Sequence, residues 1–366
     1  MSQPIRVGVV GLGFGAEFLP IYQNHPNAEI FAICQRNTKM LNEIGDEFGI
    51  ERRYTNYEDL LKDPDVDAIH INTPIPLHGE QSVAALRAGK HCACTVPAAT
   101  NLESLRSIVA AQKESGKNYM MMETVVYARE YLFVKDLYQS GEMGRLQFLR
   151  GTHQQEMSGW PGYWEGLPPM HYATHCVSPL LALSDKLCES VVCHGSGRIE
   201  EKLALKYGSP FAVETATMKL QDSDLCAEVT RSLFNTARQY REGFDVYGSK
   251  ASWEWTLIED EPSVLHVGEE PRLVEVPDYS ERLPKDIREF TTKGVYDLTK
   301  NTHLSFKQGG GHGGAHPHMA HEFIQSIVEE RDPFPNAIQS ANWTAVGICA
   351  HESALRGGER VYLPQW

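Results

Sequence analysis

Hydrophobic positions along the first third of the chain fall into short solid runs separated by stretches in which apolar residues recur every three or four positions. Solid runs are buried strands and the wider spacing is amphipathic helix. Strands are thus predicted at Ile5–Val10, Glu29–Cys34, Asp67–Ile71 and His91–Thr95, with another ending at Met122. Helices are predicted over Glu17–Asn24, Thr38–Phe48 (Thr38 as N-cap) and Gly79–Ala88. Strict alternation of the two element types implies a parallel sheet with right-handed crossovers. After the helix pattern Ala128–Gln139 the texture changes. A long strand is predicted over Leu146–Glu156, and further strands at Val191–Cys193, Glu214–Met218, Cys226–Thr230 and Ser252–Thr256, before closing helices at Met319–Glu329 and Ser340–Leu355. The fold class is α/β, and two bodies are expected, residues 1–125 and 126–366.

The first strand runs directly into Gly11, Leu12, Gly13, Phe14, Gly15 and Ala16. Glycines between a strand and a helix suit a dinucleotide. Gly11 permits the tight turn, Gly13 lets backbone N–H groups reach a pyrophosphate, and Ala16 packs closely against the helix. A phosphate there meets unpaired N–H groups and the positive end of the helix dipole. The ribose-reading position, roughly 20 residues beyond the glycines, holds Gln35 and Arg36 in place of an acid. Gln35 can bond ribose hydroxyls without repelling a 2′-phosphate, and Arg36 can stack on adenine or pair with a phosphate, so NAD is preferred and NADP stays open. Asn72, Thr73, Pro74 and His78 follow the Asp67–Ile71 strand at the sheet edge where such folds bind ligands. His78 either lines the nicotinamide half of the site or faces solvent at a helix start.

A formal net charge of -14 over 366 residues argues against nucleic acid or an anionic membrane as partner. No apolar run reaches membrane-spanning length, and a cytoplasmic protein is expected. The eight cysteines are scattered and read as reduced, mostly buried thiols.

The glycine turn, Asn72-Thr73-Pro74, Ala88-Gly89-Lys90-His91 and the strand end Thr95-Val96-Pro97 together resemble the Gfo/Idh/MocA oxidoreductases. The resemblance implies an N-terminal Rossmann domain and a C-terminal α/β domain built on a large, mostly antiparallel sheet. It also implies NAD or NADP, with Phe14, Gly15 and Pro97 at the cofactor, and a homo-oligomer. The family's usual Glu-Lys-Pro supplies a catalytic lysine where this chain has Val96, which cannot move a proton. Within the family a Val-Pro strand end resembles the NAD-dependent glycosidases of glycoside hydrolase family 109. Met122-Glu123-Thr124 and Tyr172-Ala173-Thr174-His175 point to the same branch.

That resemblance implies a carboxylate, Glu123, near nicotinamide and sugar, where burial can make it a base. It implies His153 as a polar site residue, His175 as the group that moves the proton at the oxidised hydroxyl, and Tyr172 as a positioning hydrogen bond. On a helix His171, Tyr172 and His175 can share one face. Trp160, Tyr163 and Trp164 form an aromatic segment suited to the C–H face of a sugar or aglycone, or to subunit packing. Near the end, Gln308–His318 is rich in glycine and histidine. Its flexibility and lack of a neighbouring carboxylate disfavour zinc, so no metal is expected, and His312 and His316 are read as binding sugar hydroxyls.

The function expected is NAD-dependent oxidation of a sugar or glycoside hydroxyl, at C3, giving a 3-keto sugar. One alternative is the redox-neutral glycosidase, which oxidises, eliminates, hydrates and reduces. Another is a nucleotide-binding relative that lost catalysis with its lysine. Oxidation is preferred because Thr95 stands where the glycosidase branch has glutamate and because no secretion signal is seen.

Overall fold

The computed structural model describes residues 3–238, 240–258, 261–292 and 312–366. They divide into two compact units. The first is Met1–Thr124 with Tyr279–Ala341 and Trp366, and the second is Val125–Asp278 with Asn342–Gln365. The first unit thus takes in Tyr279–Ala341 as well as the N-terminal sheet. Helical periodicity shows that a face is buried, not which sheet covers it.

In the first unit six strands, β1 (Ile5–Val10), β2 (Ala28–Cys34), β3 (Arg52–Tyr54), β4 (Ala68–Ile71), β5 (His91–Thr95) and β6 (Tyr119–Met122), form a sheet in the order β3-β2-β1-β4-β5-β6. Every pairing is parallel. β1 and β4 are fully apolar inside, apart from His70, because crossover helices cover both faces of a parallel sheet. The strand order reverses between β1 and β4, which opens the crevice where doubly wound folds hold ligands. Helical turns begin at once after Gly11 and take in Gly13 and Gly15, over Leu12–Gly15, Ala16–Phe18 and Leu19–Asn24, earlier than the predicted Glu17. The next helix is Thr38–Glu47, and Asn37, not Thr38, caps it by accepting the Met40 N–H.

The second unit holds nine strands, β7 (Leu146–Gln155), β8 (Cys188–Ser196), β9 (Val213–Leu220), β10 (Cys226–Ser232), β11 (Tyr240–Gly248), β12 (Ala251–Glu254), β13 (Ser263–Val267), β14 (Glu270–Val274) and β15 (Val361–Tyr362). Their order is β14-β13-β12-β11-β7-β10-β9-β8-β15. Only β7 and β10 run parallel, and the other pairs are antiparallel. A helix over Thr174–Ser184 lies directly on β7. The contact is close because Gly151 has no side chain: a Cβ there would stand 2.0 Å from the Cys176 carbonyl oxygen. Among the described residues no disulfide is formed, and no helix is long and apolar enough to cross a membrane.

Candidate active site

At the crevice of the first unit two loops meet backbone to backbone. Gly11 has φ +84°, and a Cβ on it would lie 2.5 Å from the Asn72 carbonyl oxygen, so both conformation and space demand glycine. Gly15 would likewise press a Cβ against Val9 and the Asn72 side chain, at 2.9 and 3.0 Å. It shares with fully buried Ala16 the close-packing role expected of Ala16 alone. Gly13 is different: among the described residues, nothing beyond its chain neighbours and its own helix backbone lies within 4 Å of the Cβ it lacks. Beside it, the buried Asn72 Oδ1 has no partner while Nδ2 donates to the His70 carbonyl. The side-chain space at Gly13 and an unused acceptor at the switch point fit a dinucleotide.

His78 starts the helix His78–Arg87 but does not face solvent; it is 1% exposed. Nδ1 lies 2.8 Å from the Pro97 carbonyl oxygen and Nε2 lies 2.7 Å from that of Thr73. Carbonyls only accept, so both ring nitrogens donate and the ring is an imidazolium. Burial opposes that charge, yet Cys94 and the two carbonyls outweigh it and raise the pKa to about 9. His78 thus ties the β4 and β5 strand ends together. Gln35 turns its amide to the Met40 sulfur, and Arg36 is exposed. Glu123, at the end of β6, is fully buried.

Of the glycine-histidine segment, residues 308–311 lie outside the described residues. His316 is buried in the first unit, its Nδ1 2.9 Å from Glu17 Oε2, and it packs against the Phe14 and Phe18 rings. The His312 ring stands 5.3 Å from that of His316 and 6.4 Å from that of Phe14. Both histidines therefore sit with the glycine turn. The carboxylate not seen near them in sequence is Glu17, brought in by the fold. No group of three or more His, Cys, Asp or Glu among the described residues is arranged to hold a metal.

In the second unit the structure gathers a polar cluster. His153 comes from β7, Tyr172 from a 3-10 turn over Pro169–Tyr172, and His175 from the first turn of the helix Thr174–Ser184. The Tyr172 hydroxyl lies 3.3 Å from His175 Nε2, and the His153 and His175 rings meet at 5.0 Å. Glu242 Oε1 stands 3.6 Å from His175 Nδ1, and the Tyr240 hydroxyl donates to the other Glu242 oxygen. His171 does not join this face. Its ring packs on His351, and burial with that neighbour lowers its pKa to about 3. The turn is anchored by Glu214, fully buried, whose Oε2 accepts the Met170 N–H while Oε1 meets His351 Nδ1 at 2.6 Å. Trp160 and Trp164 are buried within this unit, the Trp164 ring edge-on to Tyr172 at 4.7 Å and Tyr163 against Trp164 at 5.6 Å. Sequence reasoning missed Glu242. It lies two residues beyond Tyr240 on β11, which puts both on one face, but no strand was predicted over Tyr240–Gly248.

Comparison with known proteins bears on this geometry. Residues 5–123 match an oxidoreductase family with an NAD-binding Rossmann fold, named for Gfo, Idh and MocA. A glycosyl hydrolase family 109 protein of Shewanella baltica is 22% identical over 392 residues, covering 99% of this chain and 85% of the relative. An α-N-acetylgalactosaminidase of Shewanella oneidensis shows the same identity and coverage. Among solved structures, a levoglucosan dehydrogenase complexed with NADH and levoglucosan superposes with a TM-score of 0.81 at 20% identity, covering 99% of this chain and 100% of that one. Apo scyllo-inositol dehydrogenase from Lactobacillus casei gives 0.75 at 18%, covering 98% of both chains. The fold of these dehydrogenases therefore extends over nearly the whole chain, and the stretch that matches the NAD-binding Rossmann family lies in the first unit.

Proposed function

We propose that this protein oxidises a sugar or glycoside hydroxyl with NAD, at C3, leaving a 3-keto sugar. The observation that carries the reading is the second unit's His175, whose imidazole has a carboxylate at one nitrogen and a phenol at the other. NAD, when bound at the glycine turn, supplies the hydride acceptor. The chain itself must then take the hydroxyl proton. Glu242 beside Nδ1 favours the tautomer with its proton there, which leaves the Nε2 lone pair to accept. Tyr172, within reach of Nε2, holds the hydroxyl oxygen and orients it. As the C–H electron pair leaves as hydride, the C–O bond becomes a carbonyl and the proton rests on His175. Val96 takes no part, and the histidine-carboxylate pair replaces the family's lysine. Glu123, His153 and the aromatic residues Trp160, Tyr163 and Trp164 complete the reading as groups that position the sugar.

One observation favours the redox-neutral cleavage as a second reading. Glu130, near Glu242, has its pKa raised to about 7, chiefly by burial. A carboxyl that keeps its proton near neutrality can protonate a leaving group, and the full-length relatives include glycosidases. A glycoside panel incubated with protein and NAD separates the two. Mass spectrometry showing a product lighter by two hydrogens, with matching NADH, supports oxidation. Released sugar and aglycone with no net cofactor change supports cleavage. His175→Asn should lower turnover by roughly two to four orders of magnitude, the worth of a positioned general base; full activity in that variant rejects the assignment.

A further inference from the structure

Arg231 is 0% exposed and lies on β10 in register with His153 on parallel β7 and with Glu214 on antiparallel β9. Its guanidinium uses the whole fork. Nε donates to the Tyr172 carbonyl at 2.8 Å, Nη1 to the carbonyls of His153 at 2.9 Å and Ser232 at 2.6 Å, and Nη2 to Gln155 Oε1 at 2.6 Å. Every one of these acceptors is neutral. A buried charge is costly without an anion in contact, so hydrogen bonding alone is a poor reason to bury one. Its Cζ stands 5.4 Å from the Tyr172 ring centroid.

We infer that Arg231 is the positioning residue of the His153–Tyr172–His175 cluster: one guanidinium fixes the backbone beneath His153 and Tyr172 together and holds a permanent positive charge beside them. The clamp follows from planar, multidentate geometry that lysine lacks. The charge has a direction. Glu242 favours a proton on His175, and a fixed cation opposes it, which keeps the imidazoles neutral and able to accept. The groups around Arg231 are Tyr172 and Cys176 from the turn and helix, His153 and Glu214 in register on β7 and β9, and Tyr240 and Glu242 from β11. Burial lowers the Arg231 pKa to about 10, and Cys176, Tyr172, Tyr240 and Glu242 oppose that shift, so the charge persists at neutral pH.

The kinetic arm of the test rests on the dehydrogenase reading; the titration arm needs neither substrate nor cofactor. Nitrogen-15 NMR titration of histidines, assigned with single His→Gln variants, is run on the full chain as wild type, Arg231→Gln and Arg231→Lys. The pKa of His175 or His153 should rise by about one unit in Arg231→Gln and stay near wild type in Arg231→Lys. With levoglucosan and NAD as probe, Arg231→Lys should lose on the order of tenfold in kcat with little change in KM, because the turn is looser. An unshifted titration in folded Arg231→Gln overturns the charge, and full kcat in Arg231→Lys overturns the clamp. If both variants fail to fold, Arg231 serves the fold and the inference falls. A wild type that turns over no sugar sinks the dehydrogenase reading but leaves the titration to decide the charge.

Discussion

Replacing Gly151 with alanine tests how closely β7 and the helix Thr174–Ser184 must approach. The added Cβ would lie 2.0 Å from the Cys176 carbonyl oxygen, 2.9 Å from its carbon and 3.2 Å from its Cα. An ordinary carbon–oxygen contact needs more than 3 Å, so the surfaces must part by about 1 Å; the obstacle is backbone, which cannot swing aside. Overpacking of this kind costs about 1–3 kcal/mol. The consequence for chemistry is separate. Cys176 follows His175, and Gly151 precedes His153 by two positions on the same face of β7, so the shift falls directly on the distance between the two imidazoles. A misplacement of about 1 Å costs up to about 100-fold in rate. Urea unfolding of Gly151→Ala should show the stability loss, and kcat on the best sugar of the panel should fall far more than the fraction folded. A variant as stable and as active as wild type would refute the claim that this contact sets the cluster's geometry.

Other outcomes follow from the same structure. Gly13→Val should leave stability within about 0.5 kcal/mol but weaken NAD binding at least tenfold by calorimetry, whereas Gly11→Ala, strained at positive φ and against Asn72, should cost about 1–3 kcal/mol of stability; equal behaviour of the two would contradict the assigned roles. His70 is fully buried, and burial, with His316 nearby, lowers its pKa to about 3. The unfolded chain binds that proton near pH 6.5, so the stability present above pH 6.5 is lost as pH falls toward 3. Between pH 7 and pH 5 the wild type should therefore lose about 2 kcal/mol more than His70→Phe, read from urea midpoints at each pH; parallel losses would show that His70 is not the cause. Glu242→Gln keeps the shape but removes the charge beside His175, and kcat should drop on the order of tenfold or more with a displaced pH profile; an unchanged profile would detach Glu242 from the proton transfer.

What could be read from sequence was what depends on near neighbours in the chain. The glycine turn after β1, the alternation of strands and helices and the Tyr172–His175 pair are local patterns, and each element was found within a few residues of its predicted bounds. Long-range pairings left no local trace. Glu17 meets His316, Glu242 meets His175 and Arg231 meets Tyr172 only because strand order and crossovers carry them together. His78 shows a subtler limit. Its helix-start position was legible, but its charge is set by Cys94 and by two carbonyls at separate strand ends. The grouping of Tyr279–Ala341 with the first unit was invisible for the same reason.

That grouping has a consequence for how the chain comes into being. A ribosome releases residues in order, and domains usually fold as they emerge. Here the first unit lacks Tyr279–Ala341 and the second lacks Asn342–Gln365 until the final stretch is made. At common rates of synthesis the Rossmann sheet waits on the order of ten to forty seconds for its last helix. Neither half can close early, so both mature almost together, and a gene cut at the natural-looking boundary after Thr124 would express an unfinished body in need of a chaperone.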